Sequence, residues 1–148
     1  MNFCLKKGLS VVQGDANYDL NDFSDDSFST VILSQTIQAT IFPERVIKNL
    51  IRIGKRAIIS FPNFGFWKVR KDFFLSGKMP KNKILPYEWF DTPNIHLCSV
   101  NDFIQLCYKN RIKINEKVLL NEDGKKLWSK SFLENLLTYQ VIFCVSKK

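Results

Sequence analysis

At 148 residues, 45% of them hydrophobic, the chain is long enough for one domain with a packed core rather than a disordered tail. No apolar run approaches the roughly 20 residues of a membrane span, and Met1 to Leu20 lacks the apolar block of a secretory signal, so a soluble, cytoplasmic protein is expected. The 22 Lys plus Arg exceed the 14 Asp plus Glu by eight, an excess that draws acidic partners or anionic ligands. Most of that charge is lysine spread along the chain and reads as solvated surface. The densest cluster, Lys68, Arg70, Lys71, Lys78, Lys81 and Lys83, is interrupted only by Asp72. Cys4, Cys98, Cys107 and Cys144 show no CxxC pairing, and the single histidine cannot complete a zinc site with them, so they are expected as buried thiols and no metal is expected.

In chain order, Leu9 to Gln13 is a short strand candidate stopped by Gly14-Asp15, and Thr30 to Gln35 is a second, with a buried character. Pro43 suits a first helical turn, Val46, Ile47, Leu50 and Ile53 share one face, and Gly54 is the stop. Arg56 to Phe61 follows as a third strand. Strand, helix and strand with short joints predict a βαβ unit, hence two parallel strands. Phe66 to Ser76 reads as a helix with Trp67, Phe73 and Phe74 inward and Gly77 as its cap, whereas Lys78 to His96 holds three prolines and reads as a long loop. Long ordered loops tend to be functional. Ser99 and Asp102 have capping-box spacing before an apolar stripe of Phe103, Ile104, Leu106 and Cys107, with Asn110 as the stop. Ile112, Ile114, Val118 and Leu120 alternate, broken by Glu116, and Tyr139 to Val145 is a last apolar strand, antiparallel to it. Between them Asp123-Gly124 marks a turn, and Trp128, Phe132 and Leu136 are candidates for a covering helix. No repeat, low-complexity tract or linker divides the chain, so residues 1–148 read as a single domain.

The strings Gly14-Asp15-Ala16, Val31 to Thr36, Ile58 to Trp67 and Tyr87 to Cys98, in this order, resemble the methionine biosynthesis protein MetW family over nearly the whole chain. The Ser-Phe-Pro-Asn-Phe-Gly and Asp-Thr-Pro-Asn-Ile-His strings carry most of the specificity. The resemblance implies an α/β, Rossmann-like class I methyltransferase fold: a mostly parallel sheet with an antiparallel C-terminal hairpin. It makes Leu9 to Gln13 the third strand, Thr30 to Gln35 the fourth and Arg56 to Phe61 the fifth. The first two strands have no counterpart, and none of the six glycines forms the GxG of a cofactor loop. The chain therefore reads as an N-terminally truncated member, a single partial domain, with Met1 to Lys7 the tail of a lost helix. The third strand would then either dock beside the fourth or stand apart, and the isolated chain would be marginally stable.

For the site, the resemblance places Asp15 and Ala16 near an adenine amine and Ser34 and Gln35 beside the methionine part of S-adenosylmethionine. An Asx turn is the competing reading of Asp15. Without the glycine loop these positions line half a pocket, so tight cofactor binding by this chain alone is not expected. Asn63, Trp67, Tyr87, Trp89, Asp91, Asn94 and His96 form a candidate wall facing a substrate or partner. Burial of large aromatics favours Trp67 and Trp89 as core anchors, and Asn63, Asp91 and Asn94 can equally tie down loop backbone. His96, the one group titrating near neutrality, is either structural or a general base. No Ser-His-Asp order, P-loop or metal signature is present.

Two functions follow. Members of this family are associated with a homoserine O-acyltransferase in forming acylated homoserine, which would make the aromatic loop and basic face a docking surface. The alternative is an S-adenosylmethionine-dependent methyltransferase of a small molecule, inactive in truncated form, so enzymatic activity is left open. Nucleic acid ranks last as a partner for want of any groove-reading or base-stacking motif.

Overall fold

The strongest periodicity in the sequence becomes helix α1 (Pro43–Ile53), in a computed structural model that describes residues 6–128 and 131–148. Pro43 starts it, where a missing N–H costs nothing, and the Gly54 N–H closes it on the Leu50 carbonyl. Val46, Ile47, Leu50, Ile51 and Ile53 are buried. This helix joins β1 (Val31–Ser34) to β2 (Ala57–Pro62), which pair in parallel from Val31↔Ala57 to Ser34↔Ser60, as the βαβ pattern predicts.

After β2 come α2 (Trp67–Ser76), α3 (Val100–Lys109), β3 (Ile112–Leu120), α4 (Ser131–Leu137) and β4 (Gln140–Lys147). Strand β4 inserts antiparallel between β2 and β3, giving the order β1-β2-β4-β3. The sheet is thus mixed, with one parallel pair and two antiparallel pairs, rather than mostly parallel. Register places Val31, Leu33, Ala57, Ile59, Phe61, Val141, Phe143 and Val145 on one face, and these join Val46, Ile47, Leu50, Phe103 and Cys107 in the main core. At its centre Phe103 stacks on Phe143 with centroids 4.6 Å apart, and Phe61 lies 5.1 Å from Phe103. The break in alternation at Glu116 is a β-bulge: the register shifts between Ile114 and Glu116, so Leu119 rather than Val118 or Leu120 is buried.

Helix α3 opens on the expected capping box, Ser99 with Asp102, and ends at Asn110. Gly77 ends α2 with φ 63°, the left-handed value glycine adopts without strain. Gly124 N–H donates to the Asn121 carbonyl in the predicted turn. Lys78 to His96 contains neither helix nor strand.

Four expectations need correction. Leu9 to Gln13 is not a strand: it has irregular backbone, and Leu9 and Val12 are 56% and 84% exposed. Among the described residues β1 pairs only with β2, and an extended segment with no ladder partner gains nothing from being extended. The proposed third strand therefore neither docks beside β1 nor stands apart as a strand. In α2 the aromatics point outward, with Trp67, Phe73 and Phe74 exposed and Val69 the buried residue. Trp67 and Phe74 share a stripe, and Val69 sits about 200° round the axis from it, so packing of Val69 turns that stripe to solvent. Trp128 precedes α4, and both it and Phe132 are exposed, leaving Leu136 half-buried as the member of that trio nearest a covering role. Finally, Cys98 and Cys144 are only half-buried, while Cys107 is buried as expected. Cys4 and the helix tail, apart from Lys6 and Lys7, lie outside the described residues.

Thr138 is fully buried, and its hydroxyl has no hydrogen-bond partner among the described residues. Thr138→Val removes that group without changing shape, so unfolding free energy is expected to hold or rise by up to about 1–2 kcal/mol in urea titration. A loss of similar size would show that the hydroxyl is satisfied.

Candidate functional site

The candidate residues fall into two groups, one at the end of β1 and one on the segments that follow β2. The first surrounds the end of β1. Ser34 Oγ lies 3.3 Å from Ser60 Oγ, and the Gln35 N–H donates to the Ser60 carbonyl at 2.9 Å. Gln35 has φ 53°, a left-handed conformation that costs a non-glycine residue on the order of 1 kcal/mol. It is held there by Gln38, whose Nε2 donates to the Gln35 carbonyl. The Gln38 carbonyl in turn accepts the Ile95 and His96 N–H groups, at 2.8 and 2.9 Å, which anchors the end of the long loop to this turn. The His96 ring lies 3.3 Å from the Ile41 carbonyl. Asn17 completes the cluster, its Oδ1 accepting the Ile41 and Phe42 N–H groups.

Asp15 does close an Asx turn, since its Oδ1 accepts both the backbone N–H and the Nδ2 of Asn17. Ala16 is half-buried against the core. Sequence reasoning missed Asn17 and Gln38. An Asp-x-Asn spacing could have flagged the first, but nothing in Thr36 to Thr40 marks Gln38, which is 7% exposed with an Oε1 lacking a partner among the described residues.

The second group is the candidate wall. Asn63 is fully buried: its Nδ2 donates to the Asn135 and Thr138 carbonyls, and its Oδ1 accepts the Gly65 and Val100 N–H groups. It therefore holds the wall from behind rather than facing solvent. Trp67, Tyr87 and Trp89 are exposed, at 39%, 50% and 73%, against the core-anchor expectation for the tryptophans. Trp89 packs edge-on against exposed Phe90. Asp91 and His96 are exposed and Asn94 is half-buried, its N–H bonded to Thr92 Oγ1. Among the described residues no hydrogen bond or ion pair joins Asp91 to His96; the His96 ring faces the Ile41 carbonyl instead. Beside the wall, a groove of about 370 Å³ between α2 and the loop is lined by apolar groups including Phe73, Met79 and Leu97.

The basic cluster is partly neutralised. Lys68 pairs with Glu122 at 2.6 Å, Lys81 pairs with Glu88 at 2.7 Å, and Arg70 Nε donates to the Gly65 carbonyl. A second set of cations, invisible in the linear sequence, arises because the register brings Arg56, Arg111, Lys113 and Lys147 to the opposite end of the strands, where Lys147 pairs with Asp26 at 3.7 Å.

The thiols are not poised for chemistry. Burial pushes Cys98 up to about 12 and Cys107 to about 11, with the nearby Asp102 carboxylate adding to the Cys98 shift. Native protein at pH 8 is expected to leave both unalkylated by iodoacetamide in mass spectrometry. The same shifts mean that between pH about 9 and 11 the unfolded chain ionises first, so stability falls as pH rises through that window. Rapid native-state alkylation of Cys107 would contradict the assignment.

Residues 1–145 match the family described as methionine biosynthesis protein MetW. The chain belongs to the MetW family. The bifunctional methionine biosynthesis protein MetXA/MetW of Rhodopirellula baltica is 33% identical over 118 residues, which are 79% of this chain and 19% of that protein. The chain thus spans about a fifth of the length of that curated relative. Family membership supports a role in methionine biosynthesis. Among solved structures, a SAM-dependent methyltransferase of Thermotoga maritima superposes with TM-score 0.65 at 20% identity, covering 99% of this chain and 68% of that one. A SAM-dependent methyltransferase of Archaeoglobus fulgidus gives 0.60 at 13%, covering 99% and 71%. At these identities the likeness establishes the methyltransferase-like fold and leaves the reaction open.

The MetW fold raises the question of S-adenosylmethionine, and the residues present answer it only in part. Ser34, Gln35 and Gln38 offer polar groups at a strand end, the place where sheets of this class hold ligands. The opposite wall does not fit. Gly14 is the glycine nearest Asp15, and a Cβ placed there would meet Asp19 Oδ2 at 2.7 Å, so its open side is filled by the Asp19 carboxylate, which also accepts the Asp15 N–H. Asp15 itself is engaged with Asn17. These residues make half a cradle, and no catalytic step is assigned to the cofactor.

Proposed function

We propose that this MetW-family chain serves methionine biosynthesis by docking a homoserine O-acyltransferase through the aromatic surface of α2 and the following loop. The observation that carries this reading is the exposure of Trp67, Phe73 and Phe74 on α2 and of Tyr87, Trp89 and Phe90 on the loop that follows; Phe73 lines the apolar groove, and Phe73 and Phe74 lie together with Arg70 and Lys71. Isolated exposed apolar residues need no explanation, but six exposed aromatics on one helix and the loop that follows it, with an arginine among them, have the composition of interface anchors. The curated relative adds support, because its name joins MetXA and MetW in one protein. The reading assigns no tight S-adenosylmethionine binding to these 148 residues. A dissociation constant in the low micromolar range by equilibrium titration would overturn that part.

Co-purification with a homoserine O-acyltransferase tests the docking. The expected result is a stable complex that supports acylhomoserine formation and survives Asp15→Ala. Methyl transfer to a small molecule that is lost on Asp15→Ala would favour the enzymatic alternative instead.

A further inference from the structure

A cavity of about 220 Å³ lies beside the wall and belongs to neither group above. Its apolar lining is Phe66, Ile84 and the ring of Tyr139, with Phe66 and Tyr139 packed edge to face at 5.7 Å. Its polar lining is the Lys68–Glu122 ion pair, Asn82 and the exposed Lys83. Drug-sized pockets run to roughly 300–1,000 Å³, so this one suits a small metabolite. The loop forming one side is fixed in place: Asn82 Oδ1 accepts the Ile84 and Leu85 N–H groups, and Ile84 is 6% exposed.

Three features set the polarity of the ligand. Lys68 is already matched by Glu122, whereas Lys83 has no ion-pair partner among the described residues, which leaves the lining one positive charge in excess. The Tyr139 hydroxyl likewise has no hydrogen-bond partner among the described residues. Burial, then the Glu122 carboxylate, raise its pKa, so it remains a neutral O–H donor across the physiological range. The first turn of α2, to which Lys68 belongs, contains no acidic residue and takes no side-chain cap from Phe66, so the positive end of its dipole is uncompensated there.

We propose that this cavity binds a small organic carboxylate, its apolar body against Phe66, Ile84 and Tyr139 and its carboxylate accepting from Lys83 and the Tyr139 hydroxyl. A single unmatched cation and one hydroxyl suit a monoanion, and the absence of arginine from the lining disfavours a phosphate. Nothing in this site depends on the acyltransferase reading, and failure of either leaves the other standing.

The full chain is titrated with 4-methylpentanoate, its uncharged amide, and isopentylamine, following amide resonances by heteronuclear NMR. The expected result is saturable binding of the carboxylate in the millimolar range, with shifts centred on Phe66, Ile84, Glu122 and Tyr139. Lys83→Gln is expected to weaken the carboxylate about tenfold and leave the amide unchanged, since it removes a charge-assisted hydrogen bond that only the carboxylate accepts. Tyr139→Phe weakens the carboxylate while its ring keeps the floor intact. Both changes spare the main core, and unchanged spectra elsewhere verify the fold. Equal binding of the amide or amine, shifts centred elsewhere, or no saturable shift would each overturn the proposal.

Discussion

Asn63→Ala is expected to destabilise the chain by about 3–4 kcal/mol, because the substitution strands two buried and two partly buried backbone groups at once. The side chain is fully buried at the end of β2, and its four contacts reach three parts of the chain: the Gly65 turn, the start of α3 at Val100, and the end of α4 at Asn135 and Thr138. Alanine leaves two carbonyls and two N–H groups without the partner Asn63 supplies. Asn63→Asp is expected to be at least as harmful, since a carboxylate can accept from Gly65 and Val100 but faces the Asn135 and Thr138 carbonyls with no proton to give unless it protonates. Domains hold only about 5–15 kcal/mol of net stability, so either change brings this one near its threshold. Urea unfolding followed by far-ultraviolet circular dichroism reads the loss. A change below about 1 kcal/mol would mean that the four contacts are individually replaceable.

Phe143→Ala is expected to cost about 3–5 kcal/mol, the range for emptying a large buried aromatic site. Phe143 is fully buried on the central strand β4, stacked on Phe103 at 4.6 Å and on Phe61 at 6.0 Å, so its loss opens a cavity between the sheet and α3. Three rings packed among themselves cannot all relax into that space, which places the expectation in the upper half of the range. Phe143→Leu keeps most of the volume and should cost less than half as much. Equal losses for the two variants in chemical denaturation would argue that ring stacking, not volume, dominates.

The fold was legible wherever a period and a punctuation mark coincided. Pro43 and Gly54 bracket α1, Ser99 and Asp102 open α3, Gly77 ends α2, and Arg56 to Phe61 is nearly β2 itself. The misses share a cause: a segment's fate depended on a partner the segment does not encode. Leu9 to Gln13 has strand composition but meets no strand among the described residues, and Trp67 and Phe74 of α2 look like core until Val69 on the opposite stripe takes the buried side. In the bulged strand the sequence pattern flagged the break at Glu116 but not which side the later residues would take.

The site was legible in a different measure. Aromatic and amide residues after β2 marked the wall, yet only coordinates separate Asn63, which holds the wall together, from Trp89, which stands on its surface. Gln38 was out of reach, since its role rests on backbone bonds to Ile95 and His96, more than fifty residues away. Charge misled in one respect, because Lys68 and Lys81 are neutralised by Glu122 and Glu88 from distant segments.

In the proposed docking the exposed aromatics of α2 and the long loop, not the end of β1, form the working surface. Calorimetric titration of a homoserine O-acyltransferase with the wild-type chain, with Phe74→Ser/Trp89→Ser and with Gln35→Ala tests it most directly. Phe74 and Trp89 are 86% and 73% exposed, so their loss leaves the fold intact. The double variant is expected to lose at least about 2 kcal/mol of binding, as for interface anchors, while Gln35→Ala binds like wild type. Wild-type affinity in the double variant, or binding abolished by Gln35→Ala, would contradict it.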